Sequence, residues 1–229
     1  MIRNSVYFFT LLALFAIAAF WPSYLSRATS IPEVRVHLHG AVMALWVAML
    51  ITQAFLIRNG ARRTHRLIGK ASYVLAPLIV LSTLALAHLR LHEAGDEPPV
   101  DLLNFVYVQL AMLSLFVLAY VLAIKHRKTP QLHARYMACT ALALFDPIFA
   151  RLLNSHLGID FPLAQVITYT AMDAILLGLA LWDWRHDRRP PVYPAMLAVF
   201  VLVQLPTFFL YKLPVWRKVA VWYGSLPIP

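Results

Sequence analysis

Seven stretches of mostly apolar residues, separated by short polar segments, set the pattern of this chain. A helix needs about 20 apolar residues to cross a hydrocarbon core of about 30 Å, because each residue advances about 1.5 Å. The stretches are close to that length. They predict an all-α polytopic membrane helix bundle with about seven transmembrane helices, at approximately 6–21, 36–57, 67–89, 102–124, 131–153, 162–182 and 193–211.

The composition agrees with a membrane protein. Hydrophobic residues make up 61% of the 229 residues and charged residues only 13%, which is about half of what soluble domains carry. The single cysteine, Cys139, excludes an internal disulfide and a cysteine-rich metal or iron-sulfur site. The net charge of +10 is gathered in short turns, so it argues for membrane topology and against nucleic-acid binding. The predicted partners are the lipid bilayer and either another membrane protein or a second copy of the chain.

Three basic turns predict the orientation. The turns RNGARRTHR, KHRKT and DWRHDRRP alternate with acidic ones, and 13 of the 20 Lys and Arg residues fall on their side. Because basic loops stay in the cytoplasm, we expect a multi-pass membrane protein with a cytoplasmic N-terminus. The tail 212–229 mixes tryptophan, tyrosine and cations, which is typical of a segment at the outer membrane interface.

Two hairpins within one transmembrane domain, residues 36–89 and 102–153, resemble each other. Each contains a helix end, a basic turn, a histidine near an arginine, and a proline deeper in the next span. An internal duplication is one explanation of this similarity. The other is that cytoplasmic turns are generally basic, so two unrelated hairpins would share this feature.

A set of polar positions carries a resemblance to a known family. The set is Gln53, then His65, Arg66 and Gly69, then the LHARYM segment with His133 and Arg135. In this pattern the chain resembles an uncharacterised family of bacterial multi-pass membrane proteins, a domain of unknown function. The resemblance spans about residues 36–195 and implies a protein of the bacterial inner membrane, without an implied activity. The basic turns predict that the motif lies on the cytoplasmic side. Tyr193 stands where related sequences often have a histidine.

Five histidines are predicted at the outer ends of the helices: His37, His39, His88, His92 and His156. His88 and His92 are four residues apart, so they share a helix face, whereas His37 and His39 point in different directions. Imidazole binds copper, zinc and haem iron. The five residues are therefore a candidate metal or haem b site. Solvated or hydrogen-bonded histidines at helix ends are the alternative.

The spacing limits the haem interpretation. His65 and His88 are 23 residues apart, as are His133 and His156, which corresponds to roughly 35 Å along a helix. Haems bound at those distances would lie at opposite surfaces. The spacing allows a single haem near the outer surface, bound between His39 and either His88 or His92.

Two carboxylates are predicted deep in the membrane, namely Asp146, which precedes Pro147, and Asp173. A charged side chain near the bilayer centre costs at least a few kcal/mol, so such residues are candidates for function. Arg151 is a candidate counter-ion for either, and Gln53 a further polar group. These four residues predict a midplane pocket, while an Asp–Arg pair that only stabilises the bundle is the alternative.

Two functions follow as hypotheses, and no catalytic residue is assigned. The first is a redox or metal- or haem-binding membrane protein with an outer histidine site. The second is a proton-coupled transporter or small-ligand sensor that uses the midplane residues. An intramembrane metal hydrolase is a third alternative, but the paired histidine motif of the adiponectin-receptor and ceramidase family is missing from the last helix.

Overall fold

The computed structural model describes residues 5–186 and 191–228. Arg3, Arg188 and Arg189, which contribute to the predicted charge asymmetry, lie outside these ranges. The described residues are 85% helical and contain no strand. They form ten α-helices, namely α1 Ser5–Phe20, α2 Val34–Arg58, α3 Arg62–Gly69, α4 Ser72–Ala94, α5 Val100–Lys125, α6 Pro130–Ala143, α7 Phe145–Leu157, α8 Phe161–Arg185, α9 Val192–Gln204 and α10 Pro214–Ser225.

The structure confirms an all-α polytopic bundle. In the described ranges, six helical segments are long and apolar enough to cross a membrane. Three are the single helices α2, α5 and α8, and three are built from consecutive helices: α3 with α4, α6 with α7, and α9 with the two 3₁₀ helices after it. The first apolar helix is shorter. Its 16 residues reach roughly 24 Å, and it packs against α2 and α7.

The fifth predicted span is broken near its middle. Helix α6 ends at Ala143, Leu144 forms a turn, and α7 begins at Phe145. Pro147 explains the break, because proline has no N–H to donate to the preceding turn and its ring disturbs that turn. The break places Asp146 in the first turn of α7.

Large side chains fill the interior between the spans. Trp46 of α2 is fully buried, and its ring lies edge-on to Phe116 at 5.1 Å and to Tyr120 at 5.7 Å between ring centroids. By contrast, many leucine and valine side chains on the outer faces are more than half exposed, for example Leu81 and Leu202. Lipid tails are the expected solvent for such faces.

The C-terminal helix α10 packs on the predicted outer ends of α4 and α5. Gly224 permits this approach, because a Cβ at that position would stand 2.9 Å from the main-chain carbon of Leu91. The Trp216 indole donates to the carbonyl of Leu103 at 3.1 Å, and the Tyr223 hydroxyl donates to the carbonyl of Leu84 at 3.1 Å. The exposed side of α10 carries Trp222.

Candidate functional site: the buried polar network around α8

The two histidines of α4 attach the C-terminal helix. His88 Nε2 contacts the carbonyl oxygen of Leu226 at 2.9 Å, and His92 Nδ1 contacts that of Gly224 at 2.9 Å. Because a carbonyl oxygen only accepts hydrogen bonds, His88 Nε2 and His92 Nδ1 each carry a proton. The two rings stack with centroids 5.7 Å apart. Their hydrogen bonds satisfy carbonyls at the end of α10, which a helix end otherwise leaves unpaired.

The other three outer histidines have separate partners. His37 lies between the Tyr24 hydroxyl, at 3.0 Å, and the carbonyl of Ile31, at 2.9 Å. His39 Nδ1 is 3.1 Å from the Ser82 hydroxyl. His156 Nε2 donates to a carbonyl at the end of α1, that of Ala18, at 3.2 Å.

The predicted outer metal or haem site is therefore not supported. Ser82, the partner of His39, lies on α4 six residues before His88 and ten residues before His92. At 100° per residue, the two histidines therefore point about 120° and about 80° away from Ser82 around the helix. They face α10, not α2. Among the described residues, no group of three or more His, Cys, Asp or Glu side chains could hold a metal ion. The alternative interpretation, histidines hydrogen-bonded near helix ends, matches the contacts.

The four residues of the predicted midplane pocket do not lie together. Gln53 is at the predicted cytoplasmic end, beside His65. Arg151 is at the opposite end, where it donates to the Ser23 hydroxyl at 3.0 Å and stacks on the ring of Phe20 at 4.5 Å. It pairs with neither aspartate in the described structure, so its expected role as their counter-ion is wrong.

Asp146 belongs to a buried polar network between α7, α8 and the segment after α9. Its side chain is 4% exposed, and its Oδ1 accepts a hydrogen bond of 2.6 Å from the Thr168 hydroxyl. The Thr168 hydroxyl also lies 3.1 Å from the carbonyl oxygen of Gln165, one turn earlier in α8. Gln165 Nε2 in turn donates to the Tyr169 hydroxyl at 3.1 Å and to the Thr207 hydroxyl at 2.8 Å. All five side chains are almost completely buried.

Asp173 lies next to the far side of the same network. It is half-buried near the middle of α8, within interaction range of Gln204. Gln204 also connects to the first part of the network, since its carbonyl accepts from the Thr207 hydroxyl at 2.6 Å. Asp173 Oδ1 and Gln204 Nε2 are both buried and form no hydrogen bond of standard geometry in the described structure, although the two side chains interact with each other.

The motif residues form a separate cluster at the predicted cytoplasmic end. In the amide orientation that satisfies both neighbours, Gln53 Nε2 donates to the carbonyl of His65 at 3.0 Å and to His65 Nδ1, while Oε1 accepts from the Gly69 N–H at 3.2 Å. The His65 ring stands edge-on to His133, with centroids 6.3 Å apart. His133 Nδ1 donates to the carbonyl of Ala123 at 2.9 Å. Arg66 is exposed.

Arg135 forms a buried ion pair that sequence reasoning did not find. Its Nε and Nη2 donate to the two carboxylate oxygens of Asp183 at 2.6 and 2.8 Å. The two side chains are 8% and 6% exposed. Arg135 also lies 5.8 Å from the ring centre of Tyr193. The pair joins α6 to the end of α8.

A signal for both missed features was present in the sequence. An arginine inside a span requires a counter-ion, and Asp183 is an acidic residue at the matching depth. Asp183 was not considered because it lies in the DWRHDRRP segment, which was treated as a basic turn. Likewise, Gln165, Thr168 and Tyr169 lie three or four residues apart, the spacing of one helix face.

Comparisons with known proteins give no relative to draw on. No family model, no curated protein and no solved structure matches the chain. The resemblance to an uncharacterised bacterial family, carried by Gln53, His65, Gly69, His133 and Arg135, stays a prediction.

Proposed function

We propose that this protein is a proton-coupled membrane transporter in which Asp146 binds and releases the proton. The observation that carries the proposal is that Asp146 is 4% exposed inside a membrane-spanning segment and has a single hydroxyl, that of Thr168, as its hydrogen-bond partner. No lysine or arginine forms an ion pair with it in the part of the chain that the structure describes.

The depth of Asp146 favours a role in proton binding. It lies roughly 24 Å along the path from the start of α6 and roughly 17 Å before the end of α7, at 1.5 Å per residue. An isolated carboxylate at such a depth is costly, and uptake of a proton removes that cost. Intramembrane acids of this kind occur in proton relays of pumps and transporters.

The helix break at Leu144 supports the same proposal. Asp146 is in the first turn of α7, where the positive end of the helix dipole favours a negative charge. The helix dipole and the Thr168 hydroxyl therefore stabilise the ionised carboxylate of Asp146, while burial stabilises the protonated, neutral carboxyl. Broken helices whose half-helix ends face a binding site near the membrane midplane are a common feature of secondary transporters.

Asp173 is the second carboxyl that we assign to this pathway. It lies 12 residues from each end of α8. Gln204 beside it is linked through Thr207 to Gln165, and the Thr168 hydroxyl lies within hydrogen-bonding distance of both the Gln165 carbonyl oxygen and Asp146. Hydrogen-bonded hydroxyl and amide groups between two carboxyls provide sites for water and for proton movement. The substrate is not assigned by this network.

Proton entry into proteoliposomes tests the proposal. Vesicles that contain the purified protein and an internal pH-sensitive dye are diluted into a more acidic buffer, with the membrane potential clamped by valinomycin and potassium. Inorganic phosphate, succinate and glucose are then added separately as probe solutes. We expect proton entry above that of protein-free vesicles with at least one of the three solutes, and we expect Asp146→Asn to abolish it.

The matched control is Asp101→Asn, which removes an exposed acid in the first turn of α5. This variant should retain wild-type proton entry. Wild-type vesicles that show no solute-dependent proton entry, or an Asp146→Asn protein as active as the wild type, would overturn the proposal.

A further inference from the structure

A second feature of the chain, separate from the proton network, is the short helix α3 at the predicted cytoplasmic end. Helix α4, which follows it after a turn, has 23 residues and reaches roughly 35 Å. Because a hydrocarbon core is about 30 Å thick, α4 is long enough to cross it alone. The eight residues of α3 are therefore not needed for the crossing, and their length is available for the membrane surface.

The motif residues attach one side of α3 to α2. Gln53 of α2 accepts from the Gly69 N–H at 3.2 Å and donates to the carbonyl of His65 at 3.0 Å, in the amide orientation that satisfies both. The His65 ring also stands edge-on to His133 of α6. At 100° per residue, His65 and Gly69 lie about 40° apart around α3. This side of the helix faces the bundle.

The remaining surface of α3 divides into a basic side and an apolar side. Leu67 and Ile68 form the apolar side and are 67% and 37% exposed. A short helix with an exposed apolar side and a polar side rich in arginine and lysine is suited to the membrane interface. The basic side spans a sector of about 100° next to Leu67, and all of its residues are exposed, namely Arg62, Arg63, Arg66 and Lys70.

The basic side of α3 has no counter-ion within the parts of the chain that the structure describes. Asp183, an acidic residue of the same predicted side, is already paired with Arg135. The second basic turn brings a further cation to this region, because Arg127 donates at 2.6 Å to the hydroxyl of Tyr73 in the first turn of α4. The charge of this surface is therefore uncompensated by the protein residues described.

We infer that the basic side of α3 binds the phosphate headgroups of anionic membrane lipids. When Leu67 and Ile68 face the hydrocarbon, the adjoining arginines lie at the level of the headgroups, whose negative charge complements theirs. Guanidinium groups match the oxygens of a phosphate in geometry as well as in charge. The inference goes beyond the proposed proton transport, because it uses no residue of the proton network and its test needs no proton gradient.

The test compares two lipids that differ in charge but have identical acyl chains. Purified full-length protein is reconstituted into nanodiscs of phosphatidylglycerol and phosphatidylethanolamine in equal amounts. Native mass spectrometry, after release into detergent, counts the molecules of each lipid that stay bound. We expect the wild type to retain more phosphatidylglycerol, which is anionic, than phosphatidylethanolamine, which has no net charge.

The variants Arg63→Gln and Arg66→Gln each remove one cation from the basic side. Each should lower the ratio of retained phosphatidylglycerol to phosphatidylethanolamine by about fivefold, the contribution of one cation close to an anionic membrane surface. Arg185→Gln is the matched control, because Arg185 is an exposed arginine at the end of α8 on the same predicted side. This variant should keep the wild-type ratio.

Three results would overturn the inference. Equal retention of the two lipids by the wild type does so whether or not the variants fold. An equal loss in Arg185→Gln also does so, because binding would then follow the general charge of the surface. Finally, a wild type without lipid preference that binds a soluble poly-glutamate peptide, measured in nanodiscs of phosphatidylcholine, would assign the basic side of α3 to an acidic protein partner instead.

Discussion

The Thr168 hydroxyl donates a 2.6 Å hydrogen bond to Asp146 Oδ1, and this contact joins the middle of the bundle to the first turn of α7. Both side chains are buried, at 1% and 4% exposure. The pair therefore behaves as one unit in which the hydroxyl proton favours the ionised form of the acid. The first prediction concerns this donor.

Thr168→Val keeps the shape of the side chain but removes the donor to Asp146. Hydrogen bonds to charged groups contribute about 1.5–3 kcal/mol, so we expect a loss of that order at alkaline pH, where Asp146 is ionised, and a smaller loss at acidic pH. Thermal unfolding across a pH series measures it. Thr168→Ser retains the hydroxyl and should follow the wild type, and a loss of equal size at every pH would contradict the assigned contact.

The buried ion pair between Arg135 and Asp183 predicts a strong effect on stability. Asp183→Asn leaves the arginine without its counter-ion, which costs about 3–5 kcal/mol at a buried site. Chemical or thermal unfolding in detergent measures the change. The Arg35–Glu33 pair, with side chains 28% and 32% exposed, is the control, and Glu33→Gln should change stability much less than Asp183→Asn, because water screens this pair. Equal effects in the two variants would contradict the difference in burial.

The close approach of α10 predicts that Gly224 tolerates no side chain. In Gly224→Ala the new Cβ would meet the backbone of Leu91 at 2.9 Å, and overpacking of this kind costs about 1–3 kcal/mol. Faster proteolysis of the C-terminal helix would show that it has loosened. Gly178→Ala is the matched control, because a Cβ there meets nothing within 4 Å. Unchanged proteolysis in Gly224→Ala would contradict the described packing.

Much of the fold could be predicted from the sequence, because apolar length decides membrane crossing. The spans predicted at 36–57 and 102–124 lie within α2 and α5, whose ends extend one or two residues beyond them. The small helix α3 was missed, since its polar RRTHR segment has no apolar pattern. A proline within a predicted span is a local signal for the break found between α6 and α7, and Asp146 was predicted to be deep from the same segment.

The site was less predictable, because depth along a helix says nothing about the direction in which a side chain points. Arg151 and Asp146 are five residues apart on α7, which places them about 140° apart around the helix, and their partners accordingly lie on different elements. The outer histidines share a layer, yet His88 and His92 face the C-terminal helix, whose docking depends on Gly224. That contact joins residues more than 130 positions apart and leaves no local pattern in the sequence.

The central claim, that Asp146 takes up and releases a proton inside the membrane, is tested most directly by infrared difference spectroscopy between acidic and alkaline conditions. We predict a carbonyl stretch of a protonated, poorly solvated carboxylic acid that appears on acidification in the wild type, is absent in Asp146→Asn and remains in Asp101→Asn. Identical difference spectra for the wild type and Asp146→Asn would contradict the claim.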